Sequence, residues 1–176
     1  MLSYRKLAMR VLGRPLHTGG GNDSPRPASQ RAAALILTAA MLTTLTAPAF
    51  AKTWYIEDGD ITISASETKG TNKVSQGAEP EVEDTGTIIT NREKDASSHT
   101  VTINAGNDKV EVTLKYVNID TSSRSEAAVS VTGEGNTNIE LDGDNALKSD
   151  IYSSGISSSG SLTISGGEND SLTDQG

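Results

Sequence analysis

Two polar runs, Asp142-Gly143-Asp144-Asn145 and Glu168-Asn169-Asp170, concentrate carboxylate and amide oxygens in short turns. A hard cation such as calcium takes six to eight oxygens of this kind, so Asp142, Asp144, Asn145, Glu168, Asn169 and Asp170 are the candidate metal ligands. Neither run has the order of an EF-hand loop or of a Gly-Gly-x-Gly-x-Asp calcium repeat. The same residue types also make ordinary solvated turns. A second set suits a glycan: Tyr116 and Tyr152 offer ring faces, and Lys115, Arg124 and Lys148 offer cations to the carboxylates of an acidic polysaccharide. The plainer role of those cations is to balance nearby acids. Catalytic chemistry has less to draw on. There is no cysteine, His99 is the only histidine after Ala51, and no nucleophile-elbow motif accompanies it, so we expect a protein that is not an enzyme.

The elements that must position these residues are strands. Apolar and polar residues alternate in Thr100–Asn104, Val110–Leu114, Val117–Asp120, Ala127–Val131, Asn138–Asp142 and Ser161–Ser165, the period of a strand with one buried face. Gly, Asn and Asp clusters separate them, as turns require. Ile61 and Ile63 face one way in an earlier strand, whereas Glu67–Asp84 shows no period and reads as a loop or a loosely attached excursion. A longer repeat runs through the second half. Aligning Val112-x-Leu114, Ile139-x-Leu141 and Leu162-x-Ile164 gives steps of 27 and 23 residues. A recurrence of this length is the mark of a solenoid, whose units bury their apolar faces only by stacking. The expected fold is all-β, a right-handed parallel β-helix that is incomplete, with an N-terminal signal helix; an antiparallel β-sandwich is the structural alternative.

Residues 1–51 read as a leader. Arg5, Lys6, Arg10, Arg14, Arg26 and Arg31 precede the apolar run Ala32–Thr46, and Ala49-Phe50-Ala51 has the small-x-small pattern cut by signal peptidase. Cleavage is expected between Ala51 and Lys52. The apolar run is short for a membrane span, so no transmembrane anchor is expected. Six of the 15 basic residues and one of the 23 acidic ones lie before Lys52, which leaves 9 against 22 and a net charge of −13. So acidic a chain disfavours nucleic acid as a partner. The organisation expected is a signal peptide over 1–51, N-terminal strands with a polar loop over 52–97, and β-helix rungs over 98–176 with an open C-terminal end.

The run from Val112 to Gly176, with VTLKYVNIDTSS, AAVSVTGEGNTNIELDGDNALKS and GISSSGSLTISGG, resembles the secreted bacterial carbohydrate-binding β-helix family. Those proteins lie at the cell surface and have a fold similar to that of polysaccharide lyases. The resemblance implies a non-catalytic module, secreted or held at the surface, that binds calcium and polysaccharide of the plant cell-wall or matrix type. It also implies a member truncated at its C-terminal side. Two other functions suit the same pattern: a structural or adhesive β-solenoid segment of a larger bacterial surface protein, and a pectate-lyase-like enzyme.

Overall fold

The computed structural model describes residues 51–176. The leader read from the sequence lies outside the described residues, except for Ala51 at its end. Strand follows strand through three sheets in a fixed order. β1 (Thr53–Tyr55), β5 (Thr87–Thr90), β7 (Lys109–Lys115), β10 (Asn136–Asp142) and β13 (Ser161–Gly166) stack as the first sheet. β8 (Asn118–Asp120), β11 (Asp144–Lys148) and β14 (Ser171–Gln175) form the second. The third contains β2 (Ile61–Ala65), β6 (Val101–Asn104), β9 (Val129–Thr132) and β12 (Ile156–Ser158), with β3 (Asn72–Gln76) and β4 (Val82–Asp84) beyond β2. Neighbouring coils pair in parallel, and together they make a β-solenoid of about three turns. Among the described residues only β2 with β3 and β3 with β4 pair antiparallel, which excludes the sandwich.

Alternation builds the core directly. Inward residues of one strand meet inward residues of the next coil: Ile89, Leu114 and Leu141 are in register, as are Ile61, Val101 and Val129, and Ile119 with Leu147. All of these are buried. A buried aliphatic side chain of this size contributes about 1.5–3 kcal/mol. Stacking therefore supplies what no single coil could hold alone. At the corner between β10 and β11 the interior carries a polar residue bonded to backbone. Asn145, 2% exposed, accepts from the Val117 amide through Oδ1 at 2.8 Å and donates through Nδ2 to the Gly143 carbonyl at 2.9 Å. Gly133 turns between β9 and β10 with φ +96°, and a Cβ there would run into the backbone of Gly106 in the preceding coil.

Two expectations need correction. Glu67–Asp84 is not a loop, because it contains β3 and β4, which pair with each other and with β2. Its strand period is not an apolar one because two of the inward positions of β3 are amides: Asn72, Val74 and Gln76 are all buried. The Asn72 side chain donates to Thr87 Oγ1 and to the Glu111 carbonyl, both at 2.8 Å, and Gln76 donates to the Tyr55 carbonyl at 2.6 Å. The second correction concerns register. Ile139 and Leu141 do sit over Val112 and Leu114, but Leu162 pairs with Thr137 and Ile164 with Ile139. The last repeat is therefore displaced by two residues from the expected alignment. A shift of two keeps every side chain on its own face, so apolar pattern alone cannot detect it. β1 and β5 belong to the first sheet and β2 to the third, together with the later strands.

Candidate functional site

The outward face of the third sheet carries a row of hydroxyls. Thr62, Thr102, Ser130 and Ser157 occupy the same register position in β2, β6, β9 and β12. Because parallel strands lie about 4.8 Å apart, the row repeats at that interval along the solenoid axis. The loops after β8 and β11 rise beside it and bring up Arg124 and Tyr152. Together with Asp60, Thr100 and Ser154 these residues line an open, polar groove of about 700 Å³.

Charge in the groove is organised around Asp60. Arg124 Nη1 and Nη2 donate to Asp60 Oδ1 and Oδ2 at 2.7 and 3.1 Å, and the Thr100 amide donates to Oδ1 at 2.8 Å. His99 Nδ1 stands 3.3 Å from the same oxygen. The Arg124 fork, aided by the Thr100 amide and opposed by partial burial, holds the Asp60 carboxyl down at about 2. Arg124 also meets Glu126 Oε2 at 3.0 Å, and its own proton is held more tightly by Asp60. Tyr152 is 86% exposed, so its ring is free to lie against a sugar face.

Of the five residues expected to meet a glycan, the fold thus assembles two, Arg124 and Tyr152. Lys115 ends β7 on another sheet and pairs with Asp142 at 2.6 Å. Lys148 ends β11 and pairs with Asp120 at 2.8 Å; that contact, with help from Ser122, lowers the Asp120 carboxyl to about 2. Tyr116 follows β7 with φ 49°, and its ring lies against Gly143 of the next coil. The hydroxyl row was not singled out in the sequence. Its signal was present, though, in the Thr and Ser at the outward positions of successive alternating segments.

The expected metal ligands are arranged as turn-forming groups. Asn145 is turned inward onto backbone, Asp144 Oδ1 accepts from Ser171 Oγ at 2.7 Å, and Asp142 faces Lys115. Asp170 Oδ1 accepts from the Gly143 amide at 2.8 Å, and this contact together with the Gly167 amide lowers its carboxyl from the ordinary value. Glu168 and Asn169 are exposed in the turn between β13 and β14. Among the described residues no three His, Asp or Glu side chains come together as a metal-holding group. Nor, among the described residues, is any helix long and apolar enough to cross a membrane. Set against protein-family models, curated proteins and solved structures, the chain matches none of them.

Proposed function

We propose that this β-solenoid is an exported, surface-acting protein that binds polysaccharide along the groove of the third sheet. The observation that carries the reading is the register-matched row Thr62, Thr102, Ser130 and Ser157, flanked by the Arg124–Asp60 pair and the exposed Tyr152 ring. Hydroxyls at rung spacing present donors and acceptors to successive sugars of an extended glycan, and the ring supplies a stacking face. Export is supported by the basic and apolar leader and by the acid excess after it.

The test is affinity electrophoresis of the exported protein through gels holding acidic or neutral plant and matrix polysaccharides, with calcium and with excess chelator. Retardation on at least one glycan is expected. It should fall at least tenfold in apparent affinity in a Thr102→Val, Ser130→Ala double variant. No retardation on any glycan, or retention unaffected by the double variant, rejects the groove as the site. Loss on chelation would return the acidic turns to the binding mechanism.

A second reading has its own observation. Leu162, Leu172 and Ile156 in the last coil are only partly covered, and Ile164 is 40% exposed. This is the surface on which another rung would stack if the chain is a segment of a longer structural or adhesive solenoid. Sequencing through the gene, with a search for further rungs, decides it.

A further inference from the structure

Asp84 is a carboxylate with no exposed surface, placed at the end of β4. Its Oδ2 accepts from the Trp54 indole at 2.7 Å, and its Oδ1 accepts from the backbone nitrogens of Lys52 at 3.0 Å and Gly86 at 3.1 Å. All three donors are neutral. Among the described residues no cation is paired with Asp84. The Lys52 side-chain ammonium lies 3.6 Å from the centre of the Trp54 ring. A buried carboxylate without a counter-charge is strongly disfavoured unless something compensates it.

The compensating charge is one covalent step away. We propose that Asp84 is the receptor for the α-ammonium of Lys52, created when the leader is cut after Ala51. Hydrolysis of the Ala51–Lys52 amide by a leader peptidase consumes one water. The carbonyl carbon leaves as the Ala51 carboxylate, and the nitrogen stays on Lys52 and takes up protons to become an ammonium. That nitrogen already stands at hydrogen-bond distance from Asp84 Oδ1, so no rearrangement is needed. The Lys52 carbonyl is held separately by the Ile88 amide at 3.3 Å, which keeps the residue in place beside β5. Ala51 itself is exposed and lines a hollow next to Gly86 and Ile88, so its loss removes no buried residue. Processing thus replaces a neutral donor to the carboxylate with a charged one, making a part-buried ion pair that locks the first strand.

The proposal rests on the export reading, and the experiment separates the two. The full chain is produced in an exporting bacterium as wild type and as Ala49→Asp, which blocks cleavage, and the N-terminus of each product is read by mass spectrometry. Thermal melting is then followed from about pH 6 to about pH 11. An α-amino group titrates near 8 in an unfolded chain, and pairing raises that value in the folded one. The added stability is therefore complete below about pH 8 and disappears as pH rises through the folded value. The Lys52 side chain and Asp58, which attract each other, and Lys73 and Glu83, paired across β3 and β4, are common to both forms and cancel in the comparison. The expected result is a wild-type N-terminus at Lys52 and a melting point about 5 °C above the blocked form at pH 7. The difference should vanish above about pH 10 and in Asp84→Asn. If Asp84→Asn does not fold, the wild-type and blocked pair still decides. A different N-terminus overturns the cleavage reading. A Lys52 start with equal melting points and parallel pH curves overturns the ion pair alone.

Discussion

The two ends of the solenoid are built from the same alternating pattern and finished in opposite ways. At the first coil Trp54, Ile56, Ile61 and Ile63 are all buried, because β3 and β4 extend the third sheet past β2 and bring Val74, Gln76 and Asp84 over the end. At the last coil Leu162, Ile164 and Leu172 occupy equivalent inward positions, yet they are only partly covered. The difference teaches where stability in a stacked fold comes from. An inward residue gains its full burial only when it has a neighbour on both sides along the axis, and an end coil lacks one unless the chain folds back to provide it.

Substitution of an inward isoleucine at each end tests that contrast most sharply. Ile63→Ala, in the covered first coil, is expected to lose about 2–5 kcal/mol, whereas Ile164→Ala, in the last, loses less than about 1 kcal/mol. Urea midpoints of the two variants measure both, and equal losses would erase the distinction. The covering segment is probed next. Trp54→Phe deletes the indole donor to Asp84 and leaves a buried carboxylate oxygen short of a partner, a loss of about 1–3 kcal/mol by the same method. An unchanged midpoint would show that the lid does not depend on this bond.

A smaller effect of opposite sign is expected between the ends. Thr137 is fully buried between Val110 and Leu162, and its hydroxyl finds no partner. Thr137→Val keeps the shape and removes the orphaned group, so stability should rise by about 1 kcal/mol. A fall would mean that the hydroxyl is bonded after all. The smallest effect is electrostatic. Asp60 is tied to Arg124 two coils away, and Asp120 to Lys148 in the next coil. Both carboxyls titrate at about 2 when folded, against an ordinary value of 3.8. Their contribution is therefore present above about pH 4 and is lost as pH falls towards 2. Both pairs touch solvent, so the loss is modest; it should be absent from an Arg124→Gln, Lys148→Gln variant followed by acid titration.

Legibility in the sequence followed the chemistry of the inward positions. Where those positions were Val, Ile or Leu, as in β6, β7 and β10, a period of two was enough to place strand, face and stacking partner. Where they were amides, as at Asn72 and Gln76, the same period was present but did not look apolar. At the candidate site Arg124 and Tyr152 were legible by residue type. Asp60 and the row from Thr62 to Ser157 were not, since a single Thr or Ser on an outward position carries no signal until its neighbours in space are known.

Taken alone, the residues determined an all-β solenoid, because alternating segments and turn clusters that recur once per coil have few other ways to bury their apolar faces. Tertiary structure decided the register of the last rung, where Leu162 lies beside Thr137, since a displacement of two residues conserves the face of every side chain. It also decided which charges meet. Asp60 reaches Arg124, and Asp84 reaches the nitrogen of Lys52, across separations along the chain that no local pattern records. Those distances are set by the stacking of coils, which brings together residues that the backbone keeps far apart.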